Sequence, residues 1–394
     1  MKHLIKSTMY LTISNVLTKV FSLVFFIILA RSLSVNDYGL FRYLLTVSLI
    51  YAIGFSGINT SLTFFVSKYR KKSSEYIFNS FFLMFFIFII LSIIILIFQE
   101  YSFYLILFLF ASLVDFFYLG FSRGILNYFK LAGFKLVENI IQLIILVTFY
   151  FTFKSVDFGF AVIFYSFSGL LSLIFFEIIK NELVFSFKFS FEKIKKIIKY
   201  TIPVTLGSIG WSLMFGINVV FIKLFYNTEQ VAYFSVGESI VQVFGFIPGA
   251  IGTILLPKIS RLKNKNKILK PLKFAILSNI IISFFILIFL LLTNKILIHY
   301  FFTDVYLPSS VVILPLSLAQ IFIAIVYIFG TVFQGLNKPL IPTITISIAA
   351  VLNVIGSYFL TKNFGIVGAA TSNAITSFIA ATLIIILFYR EFRK

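Results

Sequence analysis

Long apolar runs separated by short basic links set the pattern of this chain. Stretches of about twenty residues with few or no charges recur along its length, each long enough as a helix to cross a hydrocarbon layer roughly 30 Å thick. The pattern predicts twelve spans, at 8–30, 40–66, 77–98, 103–122, 134–153, 158–179, 200–222, 232–256, 274–293, 307–330, 340–360 and 365–388. The first run is too long for a cleavable signal, carries a lysine in its middle, lacks a small-residue cleavage site and is followed at once by another span. It therefore reads as the first transmembrane helix.

Polar positions inside these runs are few and patterned. In the first run Thr8, Thr12, Asn15, Lys19 and Ser22 recur at alternating steps of four and three, which places them on one helix face. Lys19 precedes Arg31 by twelve residues, or about 18 Å at roughly 1.5 Å per residue. A cation at that depth costs at least about 2.5–3.5 kcal/mol on insertion scales. The stripe is expected to wall a polar cavity.

Composition agrees with the pattern. The chain has 394 residues, is 60% hydrophobic and 12% charged, with a mean hydropathy of +1.08. The expected class is an all-α integral membrane protein. A net charge of +20 would suggest a nucleic-acid partner in a soluble protein, but here the basic residues alternate by side. Twenty-six of the 33 fall in links on one side; Arg31, Arg42, Lys154, Lys223, Lys295 and Lys362 fall on the other, and Lys19 remains inside. The positive-inside rule places both termini in the cytoplasm, and no nucleic-acid partner is expected. With no cysteine and only His3 and His299, disulfides, thiolate catalysis and cysteine or histidine metal clusters are excluded.

The chain also repeats itself. The polar link 181–199 divides it nearly in half, into a six-span lobe at 1–185, a cytoplasmic amphipathic linker at 186–199 and a second six-span lobe at 200–394. Val35-Asn36-Asp37-Tyr38-Gly39 opens span 2 and Gln230-Val231-Ala232-Tyr233-Phe234 opens span 8. Asp157-Phe158-Gly159-Phe160-Ala161 opens span 6 and Asn363-Phe364-Gly365-Ile366-Val367-Gly368-Ala369 opens span 12. Copies six spans apart enter the membrane in the same direction, so this is a parallel repeat, typical of transporters with two lobes about a central site.

Four stretches make the chain recognisable: Ala30-Arg31-Ser32-Leu33-Ser34 through Tyr38-Gly39-Leu40, Pro257-Lys258-Ile259-Ser260, Gln334-Gly335-Leu336-Asn337-Lys338-Pro339, and 364–370. Over essentially its whole length the chain resembles the polysaccharide-flippase branch of the multidrug/oligosaccharidyl-lipid/polysaccharide exporter superfamily, specifically the O-antigen flippases. The resemblance implies movement of an undecaprenyl-pyrophosphate-linked oligosaccharide from the cytoplasmic to the outer leaflet of a bacterial inner membrane by alternating access. It implies a transporter and not an enzyme, a central cavity lined mainly by spans 1, 2, 7 and 8, no cofactor beyond H+ or Na+ coupling, and membrane lipids and other polysaccharide-assembly membrane proteins as partners. Chains resembling the lipid II flippase usually carry two more spans than the twelve read here.

A pyrophosphate needs positive charge and a glycan needs hydrogen bonds and aromatic faces. Lys19 fits the first as a point-charge donor, with Asn15, Thr12 and Ser22 beside it; its structural alternative is an ion pair with Asp115. Arg31 and Arg42 flank the outer end of the first two spans, as headgroup receivers or as interfacial anchors. Asp115 is an intramembrane carboxylate, either a proton carrier or a structural partner. Glu238 shares a face with Ser235, Gln242, Gly245 and Gly249, suited to cavity lining, proton coupling or close packing. Glu138 and Glu177 lie three residues from Lys135 and Lys180 and read as exposed boundary pairs. In span 7, Ser208 and Trp211 could meet a sugar, or simply pack. Asn279, Gln320, Gln334 and Asn353 read as interhelical hydrogen-bond groups.

Two alternatives stand beside the flippase. One is an ion-coupled multidrug exporter of the same superfamily. The other is a membrane glycosyltransferase or polymerase, which would need a sizeable outer loop; no outer loop here exceeds about fifteen residues.

Overall fold

Within hydrocarbon a backbone must satisfy its own donors and acceptors, so apolar runs fold as helices. The computed structural model describes residues 2–246 apart from 70–72, 154, 180–181 and 185, then 248, 249, 251, 252, 255 and 259, then 268–393; the side chains of 2–9, 11, 12, 128, 392 and 393 are also outside the description. The described residues contain no strand. The helices are α1 (Lys2–Ser32), α2 (Val35–Tyr51), α3 (Ile53–Lys68), α4 (Ser73–Phe98), α5 (Ser102–Gly124), α6 (Tyr128–Phe153), α7 (Phe158–Ile179), α8 (Phe191–Phe225), α9 (Thr228–Val241), α10 (Leu269–Leu297), α11 (Ser310–Gly335) and α12 (Leu340–Arg393).

Nine helices among the described residues are long and apolar enough to cross a membrane, ten when α2 and α3 count as one bent span. Helix α12, 54 residues long, is broken at Gly365, whose φ of 59° and ψ of −141° are not helical. That conformation is open to glycine because it has no Cβ. The break yields the two spans expected at 340–360 and 365–388. The span expected at 232–256 is described as α9 and a 3-10 turn, Gln242–Gly245.

The expected span at 40–66 is not one straight helix. Its two pieces meet at a 53° bend around Ala52, where ψ relaxes to −5°. The hydroxyls of Ser48 and Ser56 donate to the carbonyls of Leu45 and Ile53 at 2.8 and 2.7 Å, a local back-bonding that bends helices without proline.

The chain divides into two compact units, Met1–Ile209 and Gly210–Lys394. In the first, α1 packs on α6, and α5 packs on α2, α3 and α7. Phe41, Phe108 and Tyr165 meet edge to face at 5.1–5.6 Å, and Phe25 joins Tyr165 at 5.8 Å. Gly120 and Gly124 let α5 approach α3: a Cβ on Gly120 would lie 2.8 Å from the Asn59 carbonyl oxygen, and one on Gly124 would lie 2.7 Å from the Val66 Cβ. This is the small-xxx-small contact of membrane helices.

In the second unit α11 packs most extensively on α12. Its interior carries a neutral polar network. Asn353 Nδ2 donates to Met214 O at 2.9 Å, and Ser372 Oγ and Thr376 Oγ1 donate to Asn353 Oδ1 at 3.0 and 3.3 Å. Ser357 Oγ donates to Asn218 Oδ1 at 2.6 Å. The repeat is visible in matching helix starts after α1 and α8. Ser34 Oγ accepts from Asp37 N at 3.1 Å, and Asn227 Oδ1 accepts from Gln230 N at 3.0 Å, each satisfying a first-turn amide.

Candidate functional site

The first unit holds several of its charges inside. Lys135 on α6 is ion-paired to Asp115 Oδ2 on α5 and lies 2.8 Å from Glu138 Oε2 one turn along its own helix. Gln142, a further turn on, donates to Ser168 Oγ of α7 at 2.9 Å and approaches Glu138 Oε1 at 3.4 Å. Gly169 makes the space: a Cβ there would lie 3.2 Å from Asp115 Oδ1 and 3.8 Å from the Glu138 carboxyl carbon. Asp115 Oδ1 is buried with no hydrogen-bond donor among the described residues. One cation therefore serves two carboxylates.

A second buried group lies at the start of α6, little more than a turn before Lys135. Lys130 is 1% exposed and contacts Glu177 Oε1 at 2.5 Å and Glu182 Oε2 at 3.6 Å. Tyr118 donates to Glu177 Oε1 at 2.9 Å, while the amides of Glu182 and Leu183 donate to its Oε2, both at 2.9 Å. Every lone pair is engaged, the condition under which a buried pair is tolerated. This group is structural.

These positions correct the exposed-pair expectation. Glu138 does pair with Lys135, but it is 3% exposed. Glu177 pairs with Lys130, and Lys180 lies outside the described residues. The helix begins at Tyr128, several residues before the apolar run, so both lysines lie on helix and turn inward.

The face of α1 that packs on α6 is not the polar stripe. Ser14 donates to the Ala132 carbonyl, and Thr18 O accepts from Asn139 Nδ2 at 2.9 Å, which fixes α1 against α6. Asn15 and Lys19 are exposed, and Ser22 is half-buried; Thr8 and Thr12 fall on side chains outside the description. Arg31 is exposed. Arg42 is 7% exposed, its guanidinium 4.5 Å from the Phe26 ring centre, so it packs as a cation over an aromatic face.

The remaining sequence-derived positions are dispersed. Ser208 donates back to Val204 O at 3.2 Å. Trp211, 40% exposed, stacks on Phe215 at 5.9 Å. Glu238 is half-buried and Gln242 exposed where α9 gives way to the 3-10 turn. Asn353 bonds between helices as expected, whereas Asn279 is fully buried with neither amide atom partnered among the described residues. No group of three or more metal-binding side chains occurs among the described residues.

Long apolar helices in a chain that divides into two compact units define a multi-span membrane protein. The model of the family described as polysaccharide biosynthesis protein matches residues 4–263, and the chain belongs to that family. A putative O-antigen transporter of Shigella flexneri is 25% identical over 324 residues, covering 72% of this chain and 78% of that one. An uncharacterised membrane protein of Methanocaldococcus jannaschii is 23% identical over 407 residues, 95% of each chain. Among solved structures, the lipid II flippase MurJ in an inward closed conformation superposes with a TM-score of 0.78 at 16% identity, over 96% of this chain and 87% of that one. An inward-facing multidrug-resistance transporter of the superfamily gives 0.76 at 14%, over 95% and 94%. These likenesses establish the fold; the span count, lower than expected for lipid II flippases, does not separate the two folds.

Proposed function

We propose that this protein is a flippase that carries an undecaprenyl-pyrophosphate-linked oligosaccharide from the cytoplasmic to the outer leaflet by alternating access. The observation that carries the reading is the exposure of Lys19 beside Asn15 in the middle of an apolar helix, in a chain of the polysaccharide biosynthesis family. A lysine at that depth by default faces a polar interior or a water-filled cavity, and a pyrophosphate is the anion that a lipid-linked sugar would bring into such a cavity. By their spacing in the sequence Asn15, Thr12 and Ser22 share that helix face and would offer hydrogen bonds to phosphate oxygens or sugar hydroxyls. Trp211 offers a ring for a sugar, with Ser208, Glu238 and Gln242 as polar partners, and Arg31 receives the headgroup at the outer end. The Asp115–Lys135–Glu138 group supplies a site for proton coupling.

Proton-coupled multidrug export is the second reading, and the two carboxylates around Gly169 are what favours it. Deleting the chain separates the two. The flippase reading expects lipid-linked glycan trapped on the cytoplasmic leaflet, restored by wild type and in part by Lys19→Arg, but not by Lys19→Ala. Full rescue by Lys19→Ala removes the phosphate site. Intact surface glycan with altered drug susceptibility moves the reading to export.

A further inference from the structure

Before α8, residues 186–190 form an extended strap laid along α4, the most apolar of the long helices. Ser186 N donates to Ser74 O at 3.4 Å. Asn79, fully buried, grips the strap at two points: its Nδ2 donates to Lys188 O at 3.0 Å and its Oδ1 accepts from Ser190 N at 3.0 Å. Phe187 and Phe189 meet Phe78 and Phe82 edge to face at 5.5 and 5.2 Å. As the strap advances its partners on α4 advance too, from Ser74 to Asn79. Five helical residues are about 7.5 Å, comparable with one interfacial layer of a bilayer.

The side chains sort by period two, as an extended chain requires. Phe187 is 85% exposed and Phe189 57%, with Phe191 at 75% as α8 begins; Lys188 lies between the first two. On the first turns of α8, Ile194 and Ile197 are buried, and Lys193 is held by Glu75 with its ammonium 5.6 Å from the Tyr76 ring centre. Lys195 and Lys199 project outward and, with Lys188, make no ion pair among the described residues. Irregular backbone is excluded from lipid unless its polar groups are satisfied, and Asn79 supplies that satisfaction at this depth. Exposed rings at an interface carrying spare cations match a surface that is apolar below and negatively charged above.

We propose that the strap from Ser186 to Lys199 is a binding surface for anionic phospholipid headgroups: the three rings seat at the acyl boundary, and Lys188, Lys195 and Lys199 contact headgroup phosphates. The rings distinguish this surface from a docking site for an acidic soluble protein, which would leave Phe187 and Phe191 in water. The proposal stands apart from the flippase reading, because it concerns the lipid side of one unit.

The cysteine-free chain makes the test direct. A Phe187→Cys variant is labelled with a fluorophore in nanodiscs, and quenching by shallow spin-labelled lipid is compared with quenching by aqueous iodide. Binding of phosphatidylglycerol and phosphatidylcholine to detergent-purified wild type is compared with the triple variant Lys188→Gln, Lys195→Gln, Lys199→Gln by native mass spectrometry. The expected result is quenching by lipid and not by iodide, and a roughly hundredfold loss of phosphatidylglycerol affinity in the triple variant, at the usual contribution of a surface lysine, with phosphatidylcholine unaffected. Should the triple variant melt early without lipid, Lys195→Gln alone is used, with about a fivefold expected loss. Iodide-accessible label, equal phosphatidylglycerol affinity in both proteins, or lysine-dependent capture of a polyglutamate probe by the nanodisc-embedded chain overturns the proposal.

Discussion

Lys135 and Asp115 are joined across the α5–α6 contact, and the same ammonium holds Glu138. Removing the cation strands two carboxylates away from bulk water. Losing one partner of a buried pair costs about 3–5 kcal/mol, and a third of the Lys135 side chain is exposed, which places Lys135→Met near the lower end, about 3 kcal/mol. Thermal unfolding in detergent measures this. The double variant Asp115→Asn, Lys135→Met is expected to regain most of the loss. Recovery of stability without recovery of transport would mark the group as functional as well as structural.

Gly120 and Gly124 set the distance between α3 and α5. At Gly120 a Cβ meets backbone, the Asn59 carbonyl oxygen at 2.8 Å, which cannot swing aside. Gly120→Val is expected to cost about 1–3 kcal/mol through overpacking and to lower the yield of folded protein in the membrane. Gly249, where a Cβ meets nothing within 4 Å among the described residues, serves as control; Gly249→Ala should leave yield unchanged.

Asn353 is the hub of the second unit's interior network, bonded to Met214, Ser372 and Thr376. Asn353→Leu removes the hub and leaves the Met214 carbonyl and two hydroxyls to find other partners, at about 0.6 kcal/mol per lost membrane hydrogen bond and up to about 1.7. The expected shift in melting temperature is therefore modest, and smaller than that of Lys135→Met. A larger loss than the ionic variant would show that neutral bonds dominate the stability of these helices.

At Gly365 the backbone sits at positive φ. Gly365→Ala is expected to cost about 1 kcal/mol or more in strain, read as a lower melting temperature. Gly159 opens the corresponding span of the first unit and is not among the positive-φ residues, so Gly159→Ala should be tolerated better. The two repeats thus begin their last span by different means: Asp157 Oδ2 accepts from Gly159 N at 2.9 Å in one, and a glycine break does the work in the other.

The span pattern, its count and the repeat were legible in the sequence because each depends on hydropathy and charge summed over twenty residues. The inner ionic group was not. Hydropathy windows push charges to segment ends, so the sequence reads Lys135 as a boundary residue, although it sits two turns inside a helix that begins at Tyr128. The i, i+4 placement of Glu138 and Gln142, facing the small residues Ser168 and Gly169 of α7, was the available signal. The bend at Ala52 was hidden for a different reason: no proline marks it, and serine back-bonding is common in membrane helices that stay straight. Asp115 and Lys19 both stood out as misplaced charges, yet sequence distance alone could not tell which cation Asp115 would meet.

One cation with two carboxylates leaves an unbalanced negative charge when all three are ionised. A charge held partway across a bilayer feels part of the membrane potential, which is worth about 2.3 kcal/mol per elementary charge per 100 mV over the full thickness. If that group couples transport as proposed, the cell's voltage acts on the Asp115–Lys135–Glu138 group directly, whatever the concentration gradients on either side.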